Sequence, residues 1–468
     1  LSADAVAYVR DAVLQTLGIT SSALVIALLL GTPIALLIAQ GKRLGRIVQA
    51  GTTIVRAIPD LVLAIVFVVA LGLGPGAAIF ALGLHYAAVI GKMFADVAGS
   101  VRREPAEALR ASGATSAAAL LIGLIPAAWP GLVGFGVYAF ESILRASVIV
   151  GVVGAGGVGA LLVQQLNLAD YRGFTVSVIV LALMVTAIEW CGTYLRLHAS
   201  PRIVLTALLV VAVGGVVALA VTPDPPWRML ATAPEHLRDY FAGAAPAWTS
   251  DMGQLAGAGI VQTIGIAVIG TIVGGILALP LALLSAWPVA RGWMRGTGWR
   301  PFSWPLEVGS RALLTATRSI PPLALALVGI ITIGVGPVAG AFALTLHTAG
   351  VLGKLLAESF DVADRHPAEA LVASGATGAA ATLIALVAAA MGAMVAHILY
   401  RFEWNVRAAT TLGMVGAGGL GQAIFNSQQM LFYHQLSSYV LMAIGLVLII
   451  DWLGERVRAR FRLERLEI

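Results

Sequence analysis

The chain has 468 residues, 59% of them hydrophobic and 11% charged, with a mean hydropathy of +0.94. Soluble proteins carry about 25% charged residues, so the composition excludes an ordinary soluble domain and fits an integral membrane protein. The net charge of +6 is scattered between apolar runs, which makes it an orientation signal rather than a nucleic-acid surface.

Apolar runs of roughly 20 residues mark candidate membrane spans. In chain order they are 16–39, 54–73, 76–97, 118–142, 174–196, 203–222, 260–286, 312–333, 337–359, 379–402 and 432–454, eleven in all. Lys42, Arg43 and Arg46 follow the first, and Arg102 and Arg103 follow the third. Arg196, His198 and Arg202 separate the fifth and sixth. Arg291, Arg295 and Arg300 follow the seventh, and Arg456, Arg458 and Arg460 follow the last. If every span crosses once, all these residues share one face, which is therefore cytoplasmic. Arg56 and Arg318 read as interface anchors. Fifty-three glycines suit close helix contacts in a bilayer. The single cysteine, Cys191, excludes an internal disulfide.

The chain repeats itself. Gln15-Thr-Leu-Gly matches Gln262-Thr-Ile-Gly, and Pro33 matches Pro280. Arg56-Ala-Ile-Pro59 matches Arg318-Ser-Ile-Pro321, and His85 matches His347. Tyr138-Ala-Phe-Glu141 matches Tyr400-Arg-Phe-Glu403, and Gly151–Gly159 matches Gly413–Gly421. Each half holds five matched spans, and the extra span at 203–222 restores the orientation between them. The repeats are therefore expected to be parallel, related by an axis along the membrane normal. The same count puts Leu1 outside and implies a helix upstream equivalent to the sixth span. The expected domains are residues 1–200, a linking helix with an outer segment at 201–259, and residues 260–468. The outer stretch 222–251, with Pro223, Pro225, Pro226, Trp227, Pro234 and Trp248, reads as an interfacial segment or a contact surface for an outer partner.

One twelve-residue stretch occurs twice between apolar runs, as Glu104-Pro-Ala-Glu-Ala-Leu-Arg-Ala-Ser-Gly-Ala-Thr115 and His366-Pro-Ala-Glu-Ala-Leu-Val-Ala-Ser-Gly-Ala-Thr377. Pro105 and Pro367 suit the first turn of a short helix, where a missing N–H costs nothing. Gly113 and Gly375 suit its end, where a left-handed residue is needed. A short polar helix between two spans, on the cytoplasmic face, is a handle for a soluble partner.

No phosphate-cradling GxxxxGK[ST], HExxH or CxxC is present, which argues against an enzyme with its own nucleotide or metal site. Ionisable residues inside spans are functional candidates. His85 and His347 lie near mid-span, with Lys92 and Lys354 two helical turns on along nearly the same face. Glu141 and Arg145, and Glu403 and Arg407, are spaced for intrahelical ion pairs at the outer end of their span. Alternatively, the arginines and histidines line an anion path. The glycines Gly154, Gly156 and Gly157, with Gly416, Gly418 and Gly419, fit either a tight outer turn or backbone that aims N–H groups at an anion.

The repeated stretch resembles the EAA loop of ABC importer permeases, through Glu107, Ala108 and Gly113 and again Glu369, Ala370 and Gly375. The family's following Ile-x-Leu-Pro is matched by Ile125-Pro126 but not by Val387-Ala388, so the two elbows are not expected to contribute equally. The Phe140-Glu141 and Phe402-Glu403 pairs, Arg145, Arg407 and the Val-Gly-Ala-Gly-Gly runs are similar to the phosphonate-type members. The resemblance implies an all-α polytopic fold of the type I importer kind, in the bacterial inner membrane. It implies two cytoplasmic ATPase subunits that bind ATP and Mg, one extracytoplasmic binding protein, and a phosphonate, phosphate or phosphite substrate. This chain itself would hold no cofactor and no nucleic acid, and its other neighbour is lipid. The alternatives are a methionine-type permease, or a self-contained channel or secondary transporter.

Overall fold

Long apolar runs become long helices because a bilayer leaves no water for unpaired backbone groups. The computed structural model describes residues 3–41, 43–102, 104–115, 118–198, 200–220, 233–246, 250–286, 303–364 and 366–463. Lys42, Arg103, Pro223, Pro225, Pro226, Trp227, Trp248, Arg291, Arg295 and Arg300 lie outside the described residues. Among the described residues the structure is helical with no strand. The contacts divide the chain into two units, Leu1–Gly243 and Ala244–Ile468.

The first unit opens with α1 (Ala3–Ala39), followed by α2 (Arg43–Ala57), α3 (Asp60–Leu71) and α4 (Pro75–Ser100). The elbow helix α5 (Glu104–Ala111) leads through a π-helical stretch, Ala119–Leu124, into α6 (Ile125–Val150). A π turn, Gly151–Ala155, then gives α7 (Gly157–Asn167), α8 (Tyr171–His198), α9 (Pro201–Ala220) and α10 (Ala233–Gly243). The second unit repeats the order from α11 (Ser250–Ser285), through α12 (Ser303–Ser319), α13 (Pro322–Ile333), α14 (Pro337–Val362) and the elbow α15 (His366–Ala373). A second π-helical stretch, Thr382–Leu386, precedes α16 (Val387–Leu412), and a π turn, Gly413–Ala417, precedes α17 (Gly419–Gln429) and α18 (Tyr433–Leu463).

The first unit is built on α1 and α4. A Cβ on Gly83 would lie 2.8 Å from Cγ2 of Ile26, and one on Gly91 would lie 2.3 Å from Cγ2 of Ile34. These contacts advance together along both helices, so α1 and α4 run parallel, with isoleucines seated on glycines. In the second unit Gly270 and Gly274 of α11 face Leu344 and Thr348 of α14 in the same manner. Small residues allow this close approach, the usual device where lipid provides no hydrophobic drive between helices. The linking helix α9 belongs to the first unit, where Val204 and Leu208 pack on Val133 and Val137 of α6. From the outer segment, Leu237 of α10 packs against Ala70 and Leu71.

Three expectations from the sequence are corrected. The runs 54–73 and 312–333 are not continuous spans: α2 and α3 meet at 89°, and α12 and α13 at 87°. Pro59 and Pro321 cause the break, because proline lacks the N–H that would continue the helix and drives its predecessor out of the α region. The 12 residues of α3 rise only about 18 Å, against about 30 Å of hydrocarbon. Eight described helices are long and apolar enough to cross, ten if each bent pair counts as one span, and α9 is a shorter apolar helix. The span placed at 118–142 runs on to Val150, so Glu141 and Arg145 lie inside the helix rather than at its outer end. The glycine run is not a simple loop, because a further helix, α7, follows it directly.

Candidate functional site

The elbows take the form their residues dictate. Pro105 sits in the first turn of α5, and the helix stops at Gly113 with φ +89°. The Ala114 N–H donates to Leu109 O at 3.0 Å and the Gly113 N–H to Arg110 O at 3.0 Å, which satisfies the last carbonyls as in a Schellman ending. Thr115 Oγ1 then accepts the Ala118 N–H at 3.2 Å and starts the next helix. The second elbow repeats this with Gly375 at φ +96°, the Ala376 N–H donating to Leu371 O and the Ala380 N–H donating to Thr377 Oγ1. Glu107, Ala108, Glu369 and Ala370 are all exposed.

The elbows differ in their seating. Ala106 is buried on Gly123, where a Cβ would come within 2.7 Å of the Ala106 Cα. The residue matching Gly123 is Ala385, and no residue of α15 is buried. At the start of α15 the Asp364 carboxylate accepts from His366 Nδ1 at 2.6 Å. This hydrogen bond, then the charge of Asp364 and of Glu369, raise the His366 pKa above the ordinary histidine value. The first elbow carries Arg102 and Glu104 at these positions, with the signs reversed.

Inside the spans, the expected pairs Glu141–Arg145 and Glu403–Arg407 are not the ones formed. Arg196 of α8 donates to Glu141 at 2.8 Å, and Arg145 pairs with Glu189 of α8. In the second unit Arg458 of α18 pairs with Glu403, and Arg407 pairs with Asp451 at 2.8 Å. The neighbouring helix offers an opposite charge at each level, and a contact across two helices is not bound by the side-chain directions of one. Each unit thus carries a two-rung ladder, between α6 and α8 in the first and between α16 and α18 in the second. Arg196 and Arg458, read from the sequence as orientation signals, are rungs of these ladders. Asp451 matches Glu189, so the acid is kept while its length changes.

Glycine makes room for the ladder. A Cβ on Gly192 would lie 2.1 Å from Glu141 Oε1, and one on Gly454 would lie 1.7 Å from Glu403 Oε1. Gly454→Ala is therefore expected to eject the carboxylate and destabilise the second unit by about 3 kcal/mol, the lower end for breaking a buried pair. Gly445→Ala, on the same helix with nothing within 4 Å, is the control. Thermal unfolding in detergent distinguishes the two, and equal melting temperatures would reject the steric argument.

The histidines stitch the broken spans. His85 Nε2 lies 3.0 Å from Oδ1 of Asp60, the first residue after the break. The residue matching Asp60 is Pro322, and there His347 Nδ1 lies 3.3 Å from the Ile320 carbonyl exposed by the break. Backbone freed at membrane depth needs such a partner. Lys92 pairs along its own helix with Asp96 at 2.6 Å, and Lys354 lies 3.6 Å from Glu358.

The glycine turns are also occupied. The Gly157 N–H donates to Gln15 Oε1 at 2.7 Å, and the Val158 N–H to Thr16 Oγ1 at 2.9 Å. Gly419 and Leu420 bond Gln262 and Thr263 likewise, both at 2.9 Å. The repeated Gln-Thr dipeptide thus caps the N-terminus of α7 and of α17, groups that an anion-binding turn would have to leave open. Gly157 has φ +73°, and its Cβ would meet Thr16 Oγ1 at 2.5 Å, so both the conformation and the close approach require glycine. Gly154, Gly156, Gly416 and Gly418 share the positive φ.

Two exposed elbow helices and a charge ladder in each of two repeated units make up a duplicated, membrane-type helical frame. The chain belongs to the family described as binding-protein-dependent transport system inner membrane component, matched over residues 27–205 and 278–463. It is a multi-pass inner-membrane permease of the ABC importer class, and the expected all-α, two-repeat architecture is the one observed. It is similar to the phosphate-import permease protein PhnE of Mycolicibacterium smegmatis, at 32% identity over 424 residues, 88% of this chain and 77% of that protein. It is also similar to the putative phosphite transport system permease protein HtxC of Stutzerimonas stutzeri, at 36% identity over 204 residues, 44% of this chain and 68% of that protein. Among solved structures, an inward-facing MetNI methionine ABC transporter aligns with a TM-score of 0.40 and 21% identity, over 46% of this chain and 99% of that one.

Proposed function

We propose that this permease passes a small phosphate-type oxyanion (phosphate, phosphonate or phosphite) from an extracytoplasmic binding protein to the cytoplasm. Two cytoplasmic ATPase subunits drive the step, one at each elbow, and they hold the ATP and Mg that this chain does not. The coupling residues are Glu107, Ala108 and Gly113 with Glu369, Ala370 and Gly375. The observation that carries this reading is the pair of exposed elbows of equal backbone geometry within a single chain. A self-contained carrier has no use for two such handles. The substrate class comes from the named activities of the relatives at 32% and 36% identity. The ladders around Arg145 and Arg407, the stitches at His85 and His347, and Lys92 and Lys354 form the frame of the path.

One copy of the chain supplies both elbows, so the active complex is expected to contain one copy and two ATPase subunits. Native mass spectrometry of the purified complex reads this directly. Two copies of the chain in the transporting species would reject the arrangement.

A further inference from the structure

The two units also differ in mid-span around one buried arginine. Arg401 of α16 is 3% exposed and sits near the middle of the span Ile384–Ala417. Its Nε donates to Thr348 Oγ1 at 3.2 Å, and its Cζ lies 3.9 Å from the centre of the Trp404 ring. Its Nη2 is buried and makes no hydrogen bond. Among the described residues no carboxylate pairs with it, whereas Arg407 and Arg458 each hold one. Asn405 donates to Thr348 Oγ1 at 3.0 Å and to Thr271 Oγ1 at 2.8 Å, and His347 stacks on Trp404 at 5.4 Å. The matched residues of the first unit are Leu24, Tyr86, Ala139, Ser142 and Ile143, so only the histidine is shared.

A buried cation without a counter-ion is costly, and more so at mid-membrane. The neighbours of Arg401 fix its position without neutralising it. The Thr348 hydroxyl restrains the side chain, the Asn405 amide holds that hydroxyl in turn, and an indole face favours the cation, while its charge stays available. A guanidinium presents a planar fork that matches the oxygens of a tetrahedral oxyanion and stays protonated. We propose that Arg401, with Thr348 and Asn405, is an oxyanion-binding site inside the second unit, so that recognition within the membrane rests on one half of a duplicated chain. The site is closed to solvent. This inference rests on the oxyanion reading of the function.

The test uses the full chain with its ATPase subunits in detergent, and inorganic phosphate as the probe. Phosphate at constant ionic strength is expected to raise the melting temperature of the wild type above that in chloride. Arg401→Gln should lose this shift, and Arg401→Lys should keep part of it. In reconstituted vesicles Arg401→Gln should raise the KM for phosphate uptake about tenfold, the worth of one charge-assisted hydrogen bond. An undiminished phosphate shift in Arg401→Gln, or none in the wild type, would overturn the site. If Arg401→Gln fails to insert, Thr348→Val with Asn405→Leu keeps the cation and removes its restraints. A reduced shift in that variant supports the site and an unchanged one overturns it. Uptake of no oxyanion by the wild-type system would instead refute the functional reading, a separate outcome.

Discussion

Reversing the charge on both elbows, Glu107→Lys with Glu369→Lys, is expected to cut uptake roughly 100-fold, taking each lost charge-assisted contact at about 1.5 kcal/mol. The protein should still insert and remain monodisperse. Both glutamates are exposed, so neither holds the fold together. The backbone of each elbow is set by its glycine and threonine, which the substitution leaves alone. The measurement is ligand-stimulated ATP hydrolysis beside uptake in the same vesicles, and unchanged stimulation in the double variant would sink the coupling role. The single variants should differ. Ala106 locks α5 onto Gly123, while α15 has no buried residue and the position matching Gly123 is Ala385. The first elbow is thus the better anchored lever, and Glu107→Lys should be the more severe.

How much of this was legible in the sequence depended on the range of the interaction. The elbows were readable because proline and glycine act through local backbone geometry, and the structure places both in their expected roles, while the threonine that starts the next helix is added by the structure. The spans were readable because hydropathy is additive along the chain. The break at Pro59 and Pro321 was misread because the hydrophobic run continues across it, and hydropathy does not register a missing N–H. The ladder was misread because spacing on one helix shows which charges can meet there, not which helix lies alongside. Gly192 and Gly454 held the missing clue, as glycines one to three residues from an acid in an apolar span. Gln15-Thr16 and Gln262-Thr263 were visible as a repeat, but their role as caps for α7 and α17 needed a partner 142 and 157 residues away. Arg401 is not marked by the repeat, because its counterpart in the first half is Ala139.

Arg145→Gln alone is expected to destabilise the first unit by about 3–5 kcal/mol, because it leaves Glu189 in a buried place without its cation. Arg145→Gln with Glu189→Gln should recover most of that loss. Two amides can bond each other across α6 and α8, and neither carries a charge that the bilayer penalises. The same contrast is expected for Arg407 and Asp451 in the second unit, with a smaller single effect because Asp451 is about one-third exposed. Unfolding in detergent reads the stability, and uptake in vesicles reads the function of the same four proteins. If the ladder serves only to hold α6 on α8, the double variants recover both quantities together. If Arg145 and Arg407 also steer the anion, the double variants recover stability while uptake stays low. The geometry favours joint recovery, because each arginine is bonded to a carboxylate on its neighbouring helix. A cation paired in this way attracts a passing oxyanion weakly, since the pair presents a dipole rather than a net charge. Arg401 has no such partner among the described residues, and that difference is the physical reason to expect selectivity there and rigidity at the ladders.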